Sequence, residues 1–258
     1  MGDKMAKNKF TVDGVTYIDL STTGIESAAD IPAGKIGYLR TGERVTGTGE
    51  NMNNPLTGKI LAVTGDSICM GVGYSGGYAG IIGTDNGMTV QNIAEGGGSI
   101  MYESGSFCIS TSIANMRADA DYVIMEGGVN DSGREYPLGQ LTEGYAAALN
   151  TSTFAGAVEQ MFKSAVARFP SAKLGFIIVH KCHERLDSND TNSYYNILVN
   201  ACKKWGIPYC DLNSLVPPLG LIDALKNAYT DEGDGYHPNE QGYRIFYVPK
   251  ITAWMKGL

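Results

Sequence analysis

The chain has 258 residues, 43% of them hydrophobic, and a formal net charge of −7, enough for one large domain with a sizeable core plus an appendage. That acidic balance, with no basic cluster denser than "CKKWG", argues against nucleic-acid phosphates or an anionic membrane as partners. Five cysteines, an odd number with no C-x-x-C pair, point to free buried thiols over a disulfide framework or a zinc site.

In chain order, the opening "MGDKMAKNKFTVDG" has no apolar core, so no signal peptide is expected, and no later run approaches the ~18 apolar residues of a membrane span. The expected location is cytoplasmic or, on the resemblance given below, virion-associated. Residues 1–57 run as short Thr/Gly-rich alternating segments, "FTVDGVTYIDL" and "KIGYLRTGERVTGTGE" among them. They predict a small β-rich appendage, with "ENMNNPLTG" as its linker.

Residues 58–258 read as a second domain. Five apolar runs predict strands: "KILAVTG" (59–65), "MTVQNIA" (88–94), "DYVIMEG" (121–127), "KLGFIIVH" (173–180) and "IPYCDL" (207–212). Continuous apolar runs suit strands covered on both faces, as in a parallel sheet. Phe154, Val158, Phe162, Ala165 and Phe169 recur at helical spacing until Pro170 stops them. A second helix is predicted over about 190–205, ending at Gly206. A third should follow "HPNEQGY", with Asn239 as N-cap and a kink at Pro249. The alternation implies an α/β fold, a three-layer α/β/α sandwich with right-handed crossovers.

In an open parallel sheet, ligands bind beyond the carboxyl ends of the strands, so the residues just after each apolar run are the informative ones. The stretch after the first run holds three overlapping patterns. "GVGYSG" (Gly71, Gly73, Gly76) fits G-x-G-x-x-G, but begins well past the strand. "GYSGG" around Ser75 fits G-x-S-x-G, but no strand leads into it. Both read as loop glycines that allow close approach. Ser67 in "TGDSI" follows the strand directly, at a predicted helix N-terminus where its N–H would face a developing anion. The plainer alternative is that Asp66 or Ser67 is only an N-cap.

A serine hydroxyl needs a base to become a nucleophile, and histidine is the usual one near neutral pH. His180 and His183 flank the end of the fourth strand and read as a satisfied histidine or a substrate-rim contact. His237 lies in "DGYHPN", with Asp234 three residues earlier and placed to hold the other ring nitrogen; Asp231 is a competing acid. An oxyanion would need donors, and the N–H groups of Gly97 and Ser67 and the side-chain amide of Asn130 in "GGVND" can supply them. A plain turn glycine and an Asx-turn are the alternatives for Gly97 and Asn130.

Taken in order, "TGDSI", "QNIAEGG", "GGVND" and "DGYHPN" resemble the four motif blocks of the SGNH hydrolases, also called GDSL-like lipases and acylhydrolases, over about residues 58–258. The resemblance implies a flavodoxin-like five-stranded sheet, no metal or organic cofactor, and hydrolysis of esters, often acetyl groups on carbohydrate. It assigns Ser67 as nucleophile, Gly97 and Asn130 as oxyanion donors, and Asp234 and His237 as acid and base. "GDSIC" lacks the family's usual leucine after the serine. The run "AEGGGS" leaves Gly96, Gly97 and Gly98 open as the donor, spacing from Asn92 favouring Gly97.

A second segment, "AADIPAGKIGYLRTGERVTGTGE", resembles one common in phage tail and prophage structural proteins. It implies a tail-associated esterase acting on acylated surface glycans, with assembly through the N-terminal segment; the alternative is that Thr/Gly-rich β segments are simply common. The expected function is a serine esterase for small acyl, chiefly acetyl, esters on carbohydrate. No apolar lid or amphipathic membrane-binding helix stands out to suggest a lipase. The competing expectation is a non-catalytic glycan-binding or structural tail protein on a hydrolase fold, and a distant third is nucleotide binding through Gly71–Gly76.

Overall fold

The computed structural model describes residues 9–12, 15–19, 27, 31, 36–46, 54–183 and 193–258. Its chain divides into two units, Met1–Thr57 and Gly58–Leu258. Residues 50–53 of the expected linker and 190–192 of the expected second helix lie outside the described residues.

In the first unit, β1 (Lys9–Val12) pairs antiparallel with β2 (Val15–Asp19), and β3 (Ile36–Tyr38) with β4 (Arg44–Thr46). These are short alternating segments, as the Thr/Gly-rich pattern predicts, and in the turn between β3 and β4 the Gly42 N–H donates to the Leu39 carbonyl at 2.8 Å.

In the second unit, the five apolar runs become β5 (Ile60–Thr64), β6 (Thr89–Asn92), β7 (Tyr122–Glu126), β8 (Lys173–Ile178) and β9 (Tyr209–Asp211). All pair in parallel, in the spatial order β6-β5-β7-β8-β9. Counted within this unit, that is the flavodoxin-like order 2-1-3-4-5, whose ligand crevice opens where the order reverses, beside its first and third strands. β7 is central and buried at every position, which is why "YVIME" shows no alternation.

The helices are α1 (Ser67–Met70), α2 (Gly77–Asn86), α3 (Ile109–Ser112), α4 (Val129–Gly133), α5 (Phe154–Arg168), α6 (Tyr194–Trp205), α7 (Leu212–Leu215), α8 (Asp223–Tyr229), α9 (Glu240–Gly242) and α10 (Val248–Lys256). α5 starts where Thr153 accepts the Gly156 N–H and buries Phe154, Val158, Phe162 and Ala165. Phe162 meets Phe176 of β8 edge-on at 5.6 Å. α6 ends at Gly206, which takes the left-handed conformation expected of a C-terminal glycine. α5 contacts both α3 and α6, and α2 contacts α10, covering the sheet on its two faces.

Two features depart from the sequence pattern. α2 forms from "GYAGIIGTDN", a poor helix by propensity, because Tyr78, Ala79, Ile81 and Ile82 are buried there. Its Gly83 lies so close to β6 that a Cβ would stand 2.3 Å from Val90 Cγ2. The kink expected at Pro249 is displaced: the chain widens into a π-turn at Tyr243–Tyr247, and Pro249 falls in the first turn of α10, where no N–H is required. Asn239 does cap the preceding turn, its Oδ1 accepting the Gly242 N–H at 3.0 Å.

Candidate active site

The turn after β5 carries both roles that the sequence left open. Asp66 is the N-cap of α1, its Oδ1 accepting the Ile68 N–H at 2.9 Å. Ser67 takes the first helical position, and its own N–H meets no acceptor among the described residues. Ser67 Oγ lies 2.8 Å from His237 Nε2. The other ring nitrogen, Nδ1, is hydrogen-bonded to Asp234 Oδ2, and Asp234 Oδ1 accepts the N–H groups of Tyr236 at 2.8 Å and His237 at 3.0 Å.

Partial burial pushes the Asp234 carboxyl up, but the His237 backbone N–H, the His237 ring and the Tyr236 N–H together hold it below its ordinary range. Asp231, the competing acid, touches His237 through the backbone, donating its N–H to the His237 carbonyl at 2.7 Å. The ring's partner is Asp234.

The remaining histidines divide the two readings between them. His180 is fully buried: its Nε2–H donates to the Gly235 carbonyl at 3.2 Å, and its Nδ1 accepts the Tyr247 hydroxyl at 2.6 Å. Burial pushes its pKa down to about 4, so the ring stays neutral and supports the loop that carries Asp234 and His237. His183 lines the cleft, with its Nε2 2.8 Å from Ser132 Oγ.

Of the three glycines left open, Gly98 is occupied, donating its N–H to the Glu95 carbonyl at 3.1 Å. The N–H groups of Gly96 and Gly97 have no acceptor among the described residues, and both glycines line the cleft; Gly97 has φ +74°. α4 grips this loop. Asn130 Nδ2 donates to the Gly98 carbonyl at 2.9 Å and Arg134 Nη2 to the Gly97 carbonyl at 3.0 Å. The Asp131 carboxylate accepts the N–H groups of Ile100 and Met101, each at 2.9 Å. Burial pushes the Asp131 pKa up to about 6. Asn130 sits in α4 and not in an Asx-turn, with its second amide hydrogen still available.

Ser67, Gly97, Asn130, Tyr236 and His237 thus line one cleft of about 460 Å³, at the carboxyl ends of β5, β6 and β7. Ser75 is not in it; it is exposed in the turn between α1 and α2. The glycines around Ser75 serve that turn: Gly71 and Gly76 adopt positive φ at the ends of α1 and α2, and a Cβ on Gly73 would come within 2.4 Å of the Pro238 carbonyl. Sequence reasoning missed Arg134, Asp131 and Glu126. Asp131 and Glu126 stood in plain view in "VIMEGGVND", but nothing local marks them as buried supports.

The sequence matches the family model of the GDSL-like lipase/acylhydrolase family over residues 63–245. The chain belongs to that family. It is therefore a hydrolase of ester and acyl bonds, on the SGNH fold that the motif blocks imply. Solved structures share that fold at low identity. A Lactobacillus plantarum protein is 23% identical, with TM-score 0.66 over 78% of this chain and 98% of its own. Phospholipase A1 from Streptomyces albidoflavus is 16% identical, with TM-score 0.53 over 76% of this chain and 99% of its own. A family two carbohydrate esterase from Clostridium thermocellum, an active-site mutant in complex with a cello-oligosaccharide, is 14% identical, with TM-score 0.52 over 83% of this chain and 68% of its own. No curated protein matches the chain. Among the described residues, no helix of this acylhydrolase is long and apolar enough to cross a membrane.

Proposed function

We propose that this acylhydrolase is a serine esterase that removes small acyl groups, chiefly acetyl, from carbohydrate. The observation that carries the reading is the continuous hydrogen-bonded line Asp234–His237–Ser67, ending beside N–H groups that have no acceptor among the described residues.

In this reading His237 Nε2 takes the Ser67 proton as Oγ attacks the ester carbonyl, and Asp234 holds the imidazolium that results. The oxyanion is received by the N–H groups of Ser67 and Gly97 and the amide of Asn130, each donor worth about 3 kcal/mol of barrier. Collapse of the tetrahedral intermediate expels the alcohol, which takes the proton from His237. Water, deprotonated by the same ring, then releases the acid from Ser67.

Carbohydrate is favoured by the mouth of the cleft. Tyr236, beside His237, is 39% exposed and can stack on a sugar, and Arg134 and His183 add polar groups to a lining that also carries Ile68, Val72 and Val129. The carbohydrate esterase that shares the fold supports the same substrate class. The N-terminal unit is assigned, on its resemblance to tail proteins alone, to attachment in a phage tail that would bring the esterase to acylated cell-surface glycans.

Hydrolysis of short and long p-nitrophenyl esters and of acetylated glycans, by wild type, Ser67→Ala and Ser75→Ala, tests the reading. Wild type should prefer the short esters, Ser75→Ala should match it, and Ser67→Ala should lose about 10⁴–10⁶-fold in kcat. Near-normal turnover by Ser67→Ala would remove the assignment. A wild type that binds acetylated glycans but cleaves no ester would favour the binding-module alternative.

A further inference from the structure

Beneath Ser67 lies a pair of acids that the proposed reaction does not use. Asp66 and Glu126 are both fully buried, one in the nucleophile turn and the other at the end of β7. Glu126 Oε2 accepts the N–H of Asp66 at 3.3 Å and of Cys69 at 3.2 Å, while Asp66 Oδ1 accepts that of Ile68. Three of the four N–H groups of residues 66–69 are thereby satisfied, and the one left over belongs to Ser67.

This is a helix cap completed from another strand. In an ordinary capping box a glutamate three residues into the helix reaches back to the N-cap N–H; here Glu126 does so from β7. Gly65 makes room for it, since a Cβ there would stand 2.5 Å from Glu126 Oε2.

The second oxygens are the informative ones. Glu126 Oε1 and Asp66 Oδ2 are buried and find no other hydrogen-bond partner among the described residues, while the two side chains lie within hydrogen-bond reach of each other. Two facing carboxylates in a dry interior cannot both stay ionised. The uncharged groups around them are Cys69 from α1, Tyr78 from α2, Tyr243 and Tyr247 from the π-turn before α10, and Cys182 after β8, all held protonated by burial. His180 is neutral, and His237, whose ring is bonded to Asp234, lowers the Asp66 pKa by less than burial raises it.

We propose that Glu126 is a positioning residue that acts as a neutral acid. Its carbonyl oxygen Oε2 holds the Asp66 and Cys69 N–H groups, its Oε1 hydroxyl shares a proton with Asp66 Oδ2, and the Ser67 N–H is left free for the oxyanion. Burial first, and the Asp66 carboxylate second, push Glu126 well above the usual carboxylate range, in keeping with that assignment. A charged Glu126 would set a second negative charge directly under the atom where negative charge develops.

The inference rests on the esterase reading for its kinetic consequence but not for its protonation state, so two measurements separate them. Difference infrared spectroscopy of the full chain at neutral pH, wild type minus Glu126→Gln, should contain the carbonyl band of a protonated carboxylic acid. In ester hydrolysis Glu126→Ala should lose about 10–100-fold in kcat with KM nearly unchanged, because the Ser67 N–H loses its fixed direction. Glu126→Gln, whose amide oxygen can accept the same two N–H groups and whose NH₂ can donate to Asp66, should recover most of that loss. It should also stay active at alkaline pH, where wild type declines as the pair gives up its proton. No acid band, with Glu126→Gln as damaged as Glu126→Ala, would overturn the proposal. A wild type inert on every ester would overturn the esterase reading and leave the band to decide the acid pair. Should Glu126→Ala fail to fold, the band and the Glu126→Gln profile still decide it.

Discussion

Ser67 and His237 meet at 2.8 Å, yet the segments that bring them together are built on different principles. On the Ser67 side, Asp66, Glu126 and Asp131 are wholly buried, and Glu126 with one oxygen and Asp131 with both accept backbone N–H groups of distant segments. On the acid–base side, the side chains of Asp234 and His237 are 33% and 24% exposed, and their hydrogen bonds close within one turn of four residues. His180 and Thr230, which hold the Gly235 carbonyl and N–H, and Asp231, which bonds Asp234 and His237 through the backbone, tie that turn to its surroundings. The contrast fits the chemistry that the proposed mechanism asks of each side. An oxyanion hole needs donors fixed before charge appears, which calls for a rigid, dry support. A base must exchange protons with water, which calls for a local and accessible one.

The contrast can be broken at three depths. The largest effect belongs to the local side: Asp234→Asn should lower kcat by about 10³–10⁴-fold by releasing the ring tautomer, while Asp231→Asn stays within a few-fold of wild type. Steady-state kinetics on a short ester reads both, and equal losses would mean that the turn does not select its acid.

Next comes the loop of the proposed oxyanion donors. Asn130→Ala should cost about 10²–10³-fold in kcat with little change in KM, since it removes a donor and frees the Gly98 carbonyl. A rise in KM alone would make Asn130 a substrate contact.

The smallest effect falls on stability. Burial raises the folded pKa of Asp131 to about 6, above its unfolded value, so the folded state favours the protonated form. Its contribution is therefore complete below about pH 4 and is lost as pH rises to about 6, by roughly 2–3 kcal/mol. Asp131→Asn carries no such titration. Urea midpoints should show it less stable than wild type at pH 4, with the gap narrowing by roughly that amount at pH 7. A gap that does not change with pH would mean that Asp131 is ionised throughout.

Much of the scaffold is legible in the chain because parallel strands covered on both faces write themselves as unbroken apolar runs. Each of the five runs lies within two residues, at either end, of the strand it predicts. α5 and α6 are equally plain, with their Phe spacing, Ser and Thr caps and terminal Gly206. α2 is not, because its stability comes from what it packs against and not from its own residues. The shifted kink before Pro249 has the same origin: neighbours of Tyr243 and Tyr247, including Tyr78 at 6.5 and 6.1 Å, favour one wider turn over a bend at the proline.

Ser67 directly after a strand, and an aspartate three residues before a histidine, are local patterns, and local hydrogen bonds follow from local spacing. So the sequence by itself determined the Asp66–Ser67 turn, the Asp234–His237 turn and the class of chemistry they suit. It could not decide that residues 170 apart would share a hydrogen bond, or that Gly98 spends its N–H and Gly97 does not. Nor could it show that Glu126 reaches under Ser67 from 60 residues away. Those depend on which strands become neighbours and which groups are sealed from water together, and only the folded sheet sets both.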